Sequence, residues 1–99
     1  MKNYIDDLNK AFESRIRLGI MSILLVSDWV EFGTVKERLN ITDGNLASHI
    51  NALEKMDYIK IRKQFVGKKP NTSYAVTKAG RLAFDEHLNA LESLLKKRS

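Results

Sequence analysis

The chain has 99 residues, of which 43% are hydrophobic and 29% are charged, and these values predict one folded domain over residues 1–99. It contains no cysteine and only two widely separated histidines, which argues against disulfide frameworks, thiolate nucleophiles and nearly every structural zinc site. We therefore expect no metal and no other cofactor. The 17 basic and 12 acidic residues give a net charge of +5, which favours an anionic partner.

The positive charge is concentrated in the second half of the chain. Residues 1–57 hold seven basic and nine acidic residues, whereas residues 58–99 hold ten basic and three acidic ones. The segment Tyr58–Lys69 contains no acidic residue and five basic ones, which are Lys60, Arg62, Lys63, Lys68 and Lys69. The net charge therefore belongs to a particular segment rather than to the whole surface.

Two helices are predicted at the start of the chain. Helical spacing of apolar residues predicts the first over Asn3–Phe12, and Ser14 is placed to cap a second that runs to about Ser27. The second helix is apolar nearly all round, with one stripe formed by Ile16, Ile20, Ile23 and Leu24 and another by Leu18, Met21 and Leu25. Such a helix belongs at the centre of a fold. Its apolar run is too short to span a membrane and no secretory signal precedes it, so we expect a cytoplasmic protein.

A short strand and a short helix are predicted next. Trp29–Phe32 is aromatic and β-branched, which favours a strand. We expect Gly33 to end that strand and Thr34 to cap the helix that follows. Val35 and Leu39 then supply the buried face of this helix.

The segment Thr42–Met56 predicts a helix with an unusual outer face. Thr42 can cap it, Asp43 lies in its first turn, and a buried face is formed at i, i+4 and i+7 by Leu46, Ile50 and Leu53. The opposite face carries mostly small or hydrogen-bonding residues, namely Gly44, Asn45, Ser48, Asn51, Ala52 and Lys55. A face that is only solvated more often carries Glu, Lys and Arg, so this pattern favours a binding surface.

A basic hairpin and a long helix complete the chain. The alternation in Tyr58–Val66 predicts a strand, residues 67–71 a turn, and Thr72–Val76 the returning strand. Thr77 then caps a helix of about 20 residues. The predicted fold class is mainly α with a small β-hairpin, in the order α-α-β-α-α-β-β-α.

This arrangement resembles the winged helix-turn-helix of small MarR/ArsR-like transcriptional regulators. The resemblance rests on three runs, Ile41-Thr42-Asp43-Gly44-Asn45-Leu46-Ala47-Ser48-His49-Ile50, Leu53-Glu54-Lys55-Met56-Asp57-Tyr58-Ile59 and Thr77-Lys78-Ala79-Gly80-Arg81. The chain differs from the family pattern in having Asp57 where a glycine is usual. It also lacks the Arg or Lys that often occupies the middle of the exposed face of the recognition helix.

The resemblance implies a homodimer that binds double-stranded DNA with sequence preference and regulates transcription. It places the Thr42–Met56 helix in the major groove and the basic hairpin, or wing, on the backbone or in the minor groove. The DNA-binding residues expected on this basis are Thr42, Asp43, Gly44, Asn45, Ser48, His49, Asn51, Lys60, Arg62, Lys68 and Lys69. No nucleophile with a base and no paired carboxylates stand out in the sequence, so we do not expect an enzyme.

The final helix carries apolar residues at heptad spacing, which predicts a dimer interface. Together with the second stripe of the Ser14-capped helix, the expected interface residues are Leu18, Met21, Leu25, Phe84, Leu88, Leu91 and Leu95. The alternative is that the final helix packs onto its own domain.

Other features also allow two interpretations. The basic hairpin can be a solvated sheet edge, and the same fold can serve as a protein-protein interaction module for an acidic partner. His49 is either a half-buried structural imidazole or a phosphate contact, whereas His87 is expected at the surface or in an interface. Four aromatic residues either line an effector cavity or, as is more usual, belong to the core, namely Tyr4, Phe12, Trp29 and Phe32.

Overall fold

The computed structural model describes residues 4–96, and its elements follow the predicted order after the first. Two short 3-10 turns, Tyr4–Asp7 and Lys10–Phe12, precede four helices and three strands within these residues. The helices are α1 (Arg15–Leu25), α2 (Phe32–Leu39), α3 (Asp43–Lys55) and α4 (Lys78–Lys96), and the strands are β1 (Val30–Glu31), β2 (Ile59–Val66) and β3 (Lys69–Val76). This confirms the mainly helical class with a small hairpin.

The predicted helix over Asn3–Phe12 is wrong for the residues described, and Asn3 itself lies outside them. Asn9 interrupts the segment with an extended backbone, and its side-chain oxygen accepts a hydrogen bond from the Ala11 N–H at 2.9 Å. The Asn9 N–H in turn donates to Nδ1 of His87 at 2.9 Å. Asparagine competes for backbone hydrogen bonds in this way, and the chain forms two 3-10 turns instead of one helix.

Three of the four predicted helix caps are confirmed. The hydroxyl oxygens of Ser14, Thr42 and Thr77 accept the N–H of the residue three positions later, at 3.3, 3.2 and 2.9 Å. The prediction that Gly33 ends β1 and Thr34 caps α2 is wrong, because α2 begins directly after β1. Glu31, which pairs with Ser73 in the sheet, also occupies the N-cap position without a side-chain bond.

α2 and α3 end in the same way, with a left-handed residue just beyond the helix. The φ angles of Asn40 and Asp57 are 52° and 62°. After α3 the N–H of Tyr58 donates to the Leu53 carbonyl at 3.0 Å and that of Asp57 to the Glu54 carbonyl at 2.9 Å, which is a Schellman motif. Aspartate tolerates this backbone conformation better than most residues. The absence of the glycine usual at position 57 therefore leaves the turn intact.

The core lies between α1, α3 and the sheet. α1 contributes three side chains with no exposed surface, Ile20, Met21 and Leu24, and α3 contributes Leu46, Ile50 and Leu53. Phe12 is also fully buried, and its ring centroid lies 5.1 Å from that of Phe84, 5.4 Å from that of Tyr58 and 5.5 Å from the His87 ring. Phe12 is therefore a core residue and not the lining of an effector cavity. The side chain of Tyr4 lies outside the described part of the chain.

The three strands form an antiparallel sheet in the order β1-β3-β2. The register pairs Val66 with Lys69, so the hairpin turn consists of Gly67 and Lys68 alone and the predicted turn over residues 67–71 is too long. Gly67 has a φ of +65°, and glycine at the first position of a two-residue turn allows such a tight hairpin. Pro70 fits within β3 because β1 pairs only with Ser73 and Tyr74, which leaves β3 with a free edge near its start.

Candidate nucleic-acid interface

α3 presents its polar face to solvent. Leu46, Ile50 and Leu53 are at most 2% exposed, and they fix the rotation of the helix against the core. The exposed residues on the other side are Gly44, Asn45, Ser48, Asn51 and Lys55. The buried face agrees with the prediction, and the short side chains opposite leave the helix backbone open to a close approach.

The start of α3 carries a charge pair with α2. Nζ of Lys36 lies 2.7 Å from Oδ1 of Asp43, and the side chain of Lys36 is partly exposed and that of Asp43 largely exposed. Such exposed pairs stabilise a fold by less than about 1 kcal/mol. The pair nevertheless offsets the negative charge of Asp43 in the first turn of α3. Thr42, Gly44 and Asn45 line an open depression beside it.

His49 is half-buried and is held by a residue that the sequence analysis did not identify. Nε of Arg17 on α1 donates to Nδ1 of His49 at 3.0 Å. Desolvation by burial, and then the charge of Arg17, lower the pKa of His49 from its ordinary value of 6.5. Nδ1 must be unprotonated to accept this bond. The hydrogen bond and the lowered pKa therefore both favour the neutral imidazole. Residues 32 positions apart share no local sequence pattern, so this contact could not be predicted from the sequence.

Lys60 and Arg62 lie at the base of the wing over the ring of Trp29. The guanidinium carbon of Arg62 is 4.3 Å from the ring centroid and Nζ of Lys60 is 5.5 Å from it. Both cations occupy the sheet face opposite to the core residues Ile59 and Ile61, since alternate residues of a strand share a face. Trp29 therefore supports the cations of the wing by cation-π contacts.

The same indole borders an open cleft. The cleft is lined by Ser27, Asp28, Trp29, Lys60, Ala75, Val76 and Arg81. Phe32, by contrast, is half-buried with its ring centroid 6.3 Å from that of Tyr74. Phe12, Phe32 and Trp29, three of the four aromatic residues considered for an effector cavity, therefore lie apart, in the core, against the sheet and beside this cleft.

The tip of the wing extends away from the core. Every residue of this tip, from 63 to 70, is exposed, including the three lysines Lys63, Lys68 and Lys69. The tip also carries Phe65 and Val66, which are 74% and 59% exposed. Neither side chain was predicted from the sequence as part of a site. The sequence signal for them was the alternation of β2, which continues beyond the part of the strand that packs on the core.

The residues expected at a dimer interface divide into two groups. Met21 and Phe84 are buried within the chain itself, and Leu25 is half-buried against the core. The exposed ones are Leu18, Leu88, Leu91 and Leu95. The surface available to a second copy is therefore narrower than the sequence pattern indicated.

The expectation that His87 lies at the surface is wrong. Its side chain is buried, its Nδ1 accepts the bond from Asn9, and its ring contacts Phe12. The face of α4 that includes Phe84 and His87 covers the N-terminal turns, and the heptad pattern alone did not reveal this packing.

The geometry defines a winged helix-turn-helix protein, in which an exposed polar helix is followed at once by a protruding basic hairpin. A family model described as a winged helix DNA-binding domain matches residues 16–95, and the chain belongs to this family. Among the described residues no helix is both long enough and apolar enough to cross a bilayer. The domain is that of a DNA-binding transcriptional regulator and not of an enzyme family.

Known proteins resemble the chain along most of its length. It is 33% identical over 87 residues to an uncharacterized protein of Methanocaldococcus jannaschii, covering 88% of this chain and 95% of that protein. A transcriptional regulator homologue from Pyrococcus horikoshii OT3 is 30% identical with a TM-score of 0.76, covering 93% and 96% of the two chains. A putative MarR-like transcription regulator from Bacillus cereus ATCC 10987 shares the fold at 20% identity and a TM-score of 0.70, covering 95% and 70%.

Proposed function

We propose that the chain is a homodimeric, sequence-selective transcriptional regulator that places α3 in the major groove of DNA and the β2–β3 wing on the adjacent backbone or minor groove. One observation carries this proposal, which is the exposed polar face of α3 beside a hairpin with five basic residues and no acidic one. Phosphate contacts supply affinity and position, whereas base contacts supply sequence preference.

In this arrangement α3 reads bases mainly through amides. Asn45 and Asn51 are exposed, and an amide can both donate to and accept from the major-groove edge of adenine. Ser48 adds a hydroxyl on the same face. The exposed face has no guanidinium to read guanine, so adenine-rich half-sites are expected.

The exposed surface of α4 supports the proposed dimer. Within the described residues α4 packs mainly on the Tyr4–Asp7 turn, and Leu88, Leu91 and Leu95 remain exposed. The chain is elongated, with a radius of gyration of 15.2 Å, whereas a compact chain of this length has about 13 Å. A second copy packed on α4 would cover the leucines and present two α3 helices to half-sites about one DNA turn apart.

The test is selection of bound fragments from random duplex DNA, followed by binding isotherms at two salt concentrations. We expect a palindromic site and an affinity that falls steeply as salt rises, because bound lysines release counterions from the phosphates. An isotherm that barely changes with salt, or a selection that enriches no sequence, would contradict the proposal.

The double substitution of Asn45→Ala with Ser48→Ala tests the role of α3. Both side chains are exposed, so the fold should persist. The variant should lose affinity for the selected site by about tenfold or more while keeping most of its affinity for random duplex, since base contacts discriminate by about 1–3 kcal/mol each. Equal losses on both duplexes would remove α3 from base recognition.

A further inference from the structure

The wing tip carries an exposed aromatic side chain that the proposed contacts between lysines and phosphates do not explain. Phe65 is 74% exposed, and its partner across the hairpin is Pro70. Water-exposed phenylalanine at the end of a protruding hairpin adds nothing to the core. Its position is what a ligand-facing apolar side chain requires.

The register fixes the direction of this side chain. Phe65 shares a sheet face with Ile59 and Ile61, which pack in the core that α3 also lines. It stands six residues beyond Ile59, which is about 20 Å at the rise of an extended strand. The ring therefore leaves the sheet on the side of the helices but beyond the end of the core, while Val66 leaves it on the opposite side.

The surrounding charge indicates a polyanion as the occupant. Lys63 lies on the same face two residues before Phe65, and Lys68 and Lys69 form the turn and its exit. No acidic residue occurs from Tyr58 to Phe84. The ligand must therefore be an anionic surface that can accept an apolar ring between its charges. The DNA minor groove has these properties, because its phosphates flank sugars and base edges.

We propose that Phe65, backed by Pro70, is an apolar wedge that enters the minor groove and partly unstacks one base step beside each half-site. This rests on the proposed DNA-binding function. Phenylalanine wedges of this kind kink DNA, and pyrimidine–purine steps unstack most easily. The wedge gives the protein a sequence preference at this base step, because the DNA must deform there. This preference adds to the base contacts of α3, whose exposed face has no arginine.

The experiment uses the full chain and the tightest duplex recovered from random DNA, with 2-aminopurine placed in turn at each flanking position. Wild-type protein should raise the fluorescence at one step outside each half-site severalfold. Phe65→Ala should abolish that rise and weaken binding by about tenfold, as loss of one aromatic stacking contact does. Phe65→Leu should restore part of both.

Val66→Ala is the matched control, because it removes an exposed apolar side chain from the same tip on the other face. It should change affinity by less than about twofold, since the phosphate contacts remain. Melting curves of all variants should coincide, because neither side chain is buried.

Each outcome separates the wedge from the function on which it rests. If wild-type protein selects no DNA, the proposed function fails. If it binds tightly but the fluorescence stays flat and Phe65→Ala behaves like Val66→Ala, the wedge alone is overturned. If Phe65→Ala instead changes the oligomeric state without DNA, a second copy covers the tip and the wedge is again overturned.

Discussion

Gly80 allows the residues that follow α3 to lie directly against α4. A Cβ at this position would stand 2.0 Å from the carbonyl oxygen of Tyr58, which is backbone and cannot rotate away. That oxygen accepts the Thr77 N–H at 3.0 Å, and the Thr77 hydroxyl donates to the Asp57 carbonyl at 2.6 Å. These contacts tie the end of α3 to the beginning of α4.

Gly80→Ala should therefore destabilise the protein. Forcing a methyl group into this contact must shift the Tyr58 backbone, and such overpacking costs about 1–3 kcal/mol of unfolding free energy. Gly33→Ala in α2 is the control, because nothing lies within 4 Å of its Cβ. It should stabilise the helix by up to about 1 kcal/mol. Urea denaturation measures both, and similar values for the two variants would refute the packing argument.

His49 should make stability depend on pH. Its pKa is lowered in the folded chain, so the folded state binds fewer protons than the unfolded state near the ordinary value of 6.5. The stabilisation is fully present above that value and is lost as pH falls through the lower pKa of the folded state. Protonation also removes the acceptor of the Arg17 bond.

Urea denaturation between about pH 7.5 and pH 5.5, without DNA, checks this sign for the unfolding free energy. His49→Asn is the control, since its side-chain oxygen can accept from Arg17 but does not titrate. It should lose less stability than wild type on acidification. Equal losses in the two proteins would exclude His49 as the titrating group.

At the scale of elements, the role proposed for the wing is to supply DNA affinity that depends on salt. Lys68→Ala together with Lys69→Ala should weaken binding to selected and random duplexes alike. Each phosphate contact contributes about 0.9 to the slope of log affinity against log salt, so the slope should fall by just under two per protomer. Lys10→Ala, an exposed charge outside the wing, should leave the slope unchanged. A double variant with the wild-type slope would mean that the tip lysines do not reach phosphates.

Those elements whose signals are local were predictable from the sequence. The caps at Ser14, Thr42 and Thr77 and the buried face of α3 depend on residues three to seven positions apart, and each is found in the structure. Periodicity over a few turns carries this information.

Features that depend on distant residues were not predictable. The Asn9 bond to His87 lies where the predicted first helix is interrupted, and it joins residues 78 positions apart. The Arg17 bond to His49 crosses from α1 to α3. The burial of Met21 and Phe84 was not predicted for the same reason. An apolar pattern does not show whether its residues pack on their own domain or on a second copy.

At the scale of the whole molecule, the basic wing and the exposed leucines at the end of α4 lie in different parts of the chain. Five basic residues cluster in the wing, whereas the exposed side chains of Leu88, Leu91 and Leu95 lie on α4 beyond Phe84. One chain can therefore present the wing to DNA while α4 packs on another copy. Isologous pairing through α4 would also match the two-fold symmetry of a palindromic site.

Leu91→Asp should convert the proposed dimer into a folded monomer. Leu91 is 43% exposed in the single chain, so a carboxylate there is solvated in the monomer but buried and unpaired in a dimer. Leu82→Asp is the control: Leu82 is 61% exposed on the same helix, and nine residues at about 100° each place it on the opposite side. Sedimentation velocity should give a monomer for Leu91→Asp and a dimer for Leu82→Asp, with equal helical content by circular dichroism. The monomer should bind a palindromic duplex no more tightly than a single half-site. A dimer that survives both Leu91→Asp and Leu88→Asp would place the interface elsewhere.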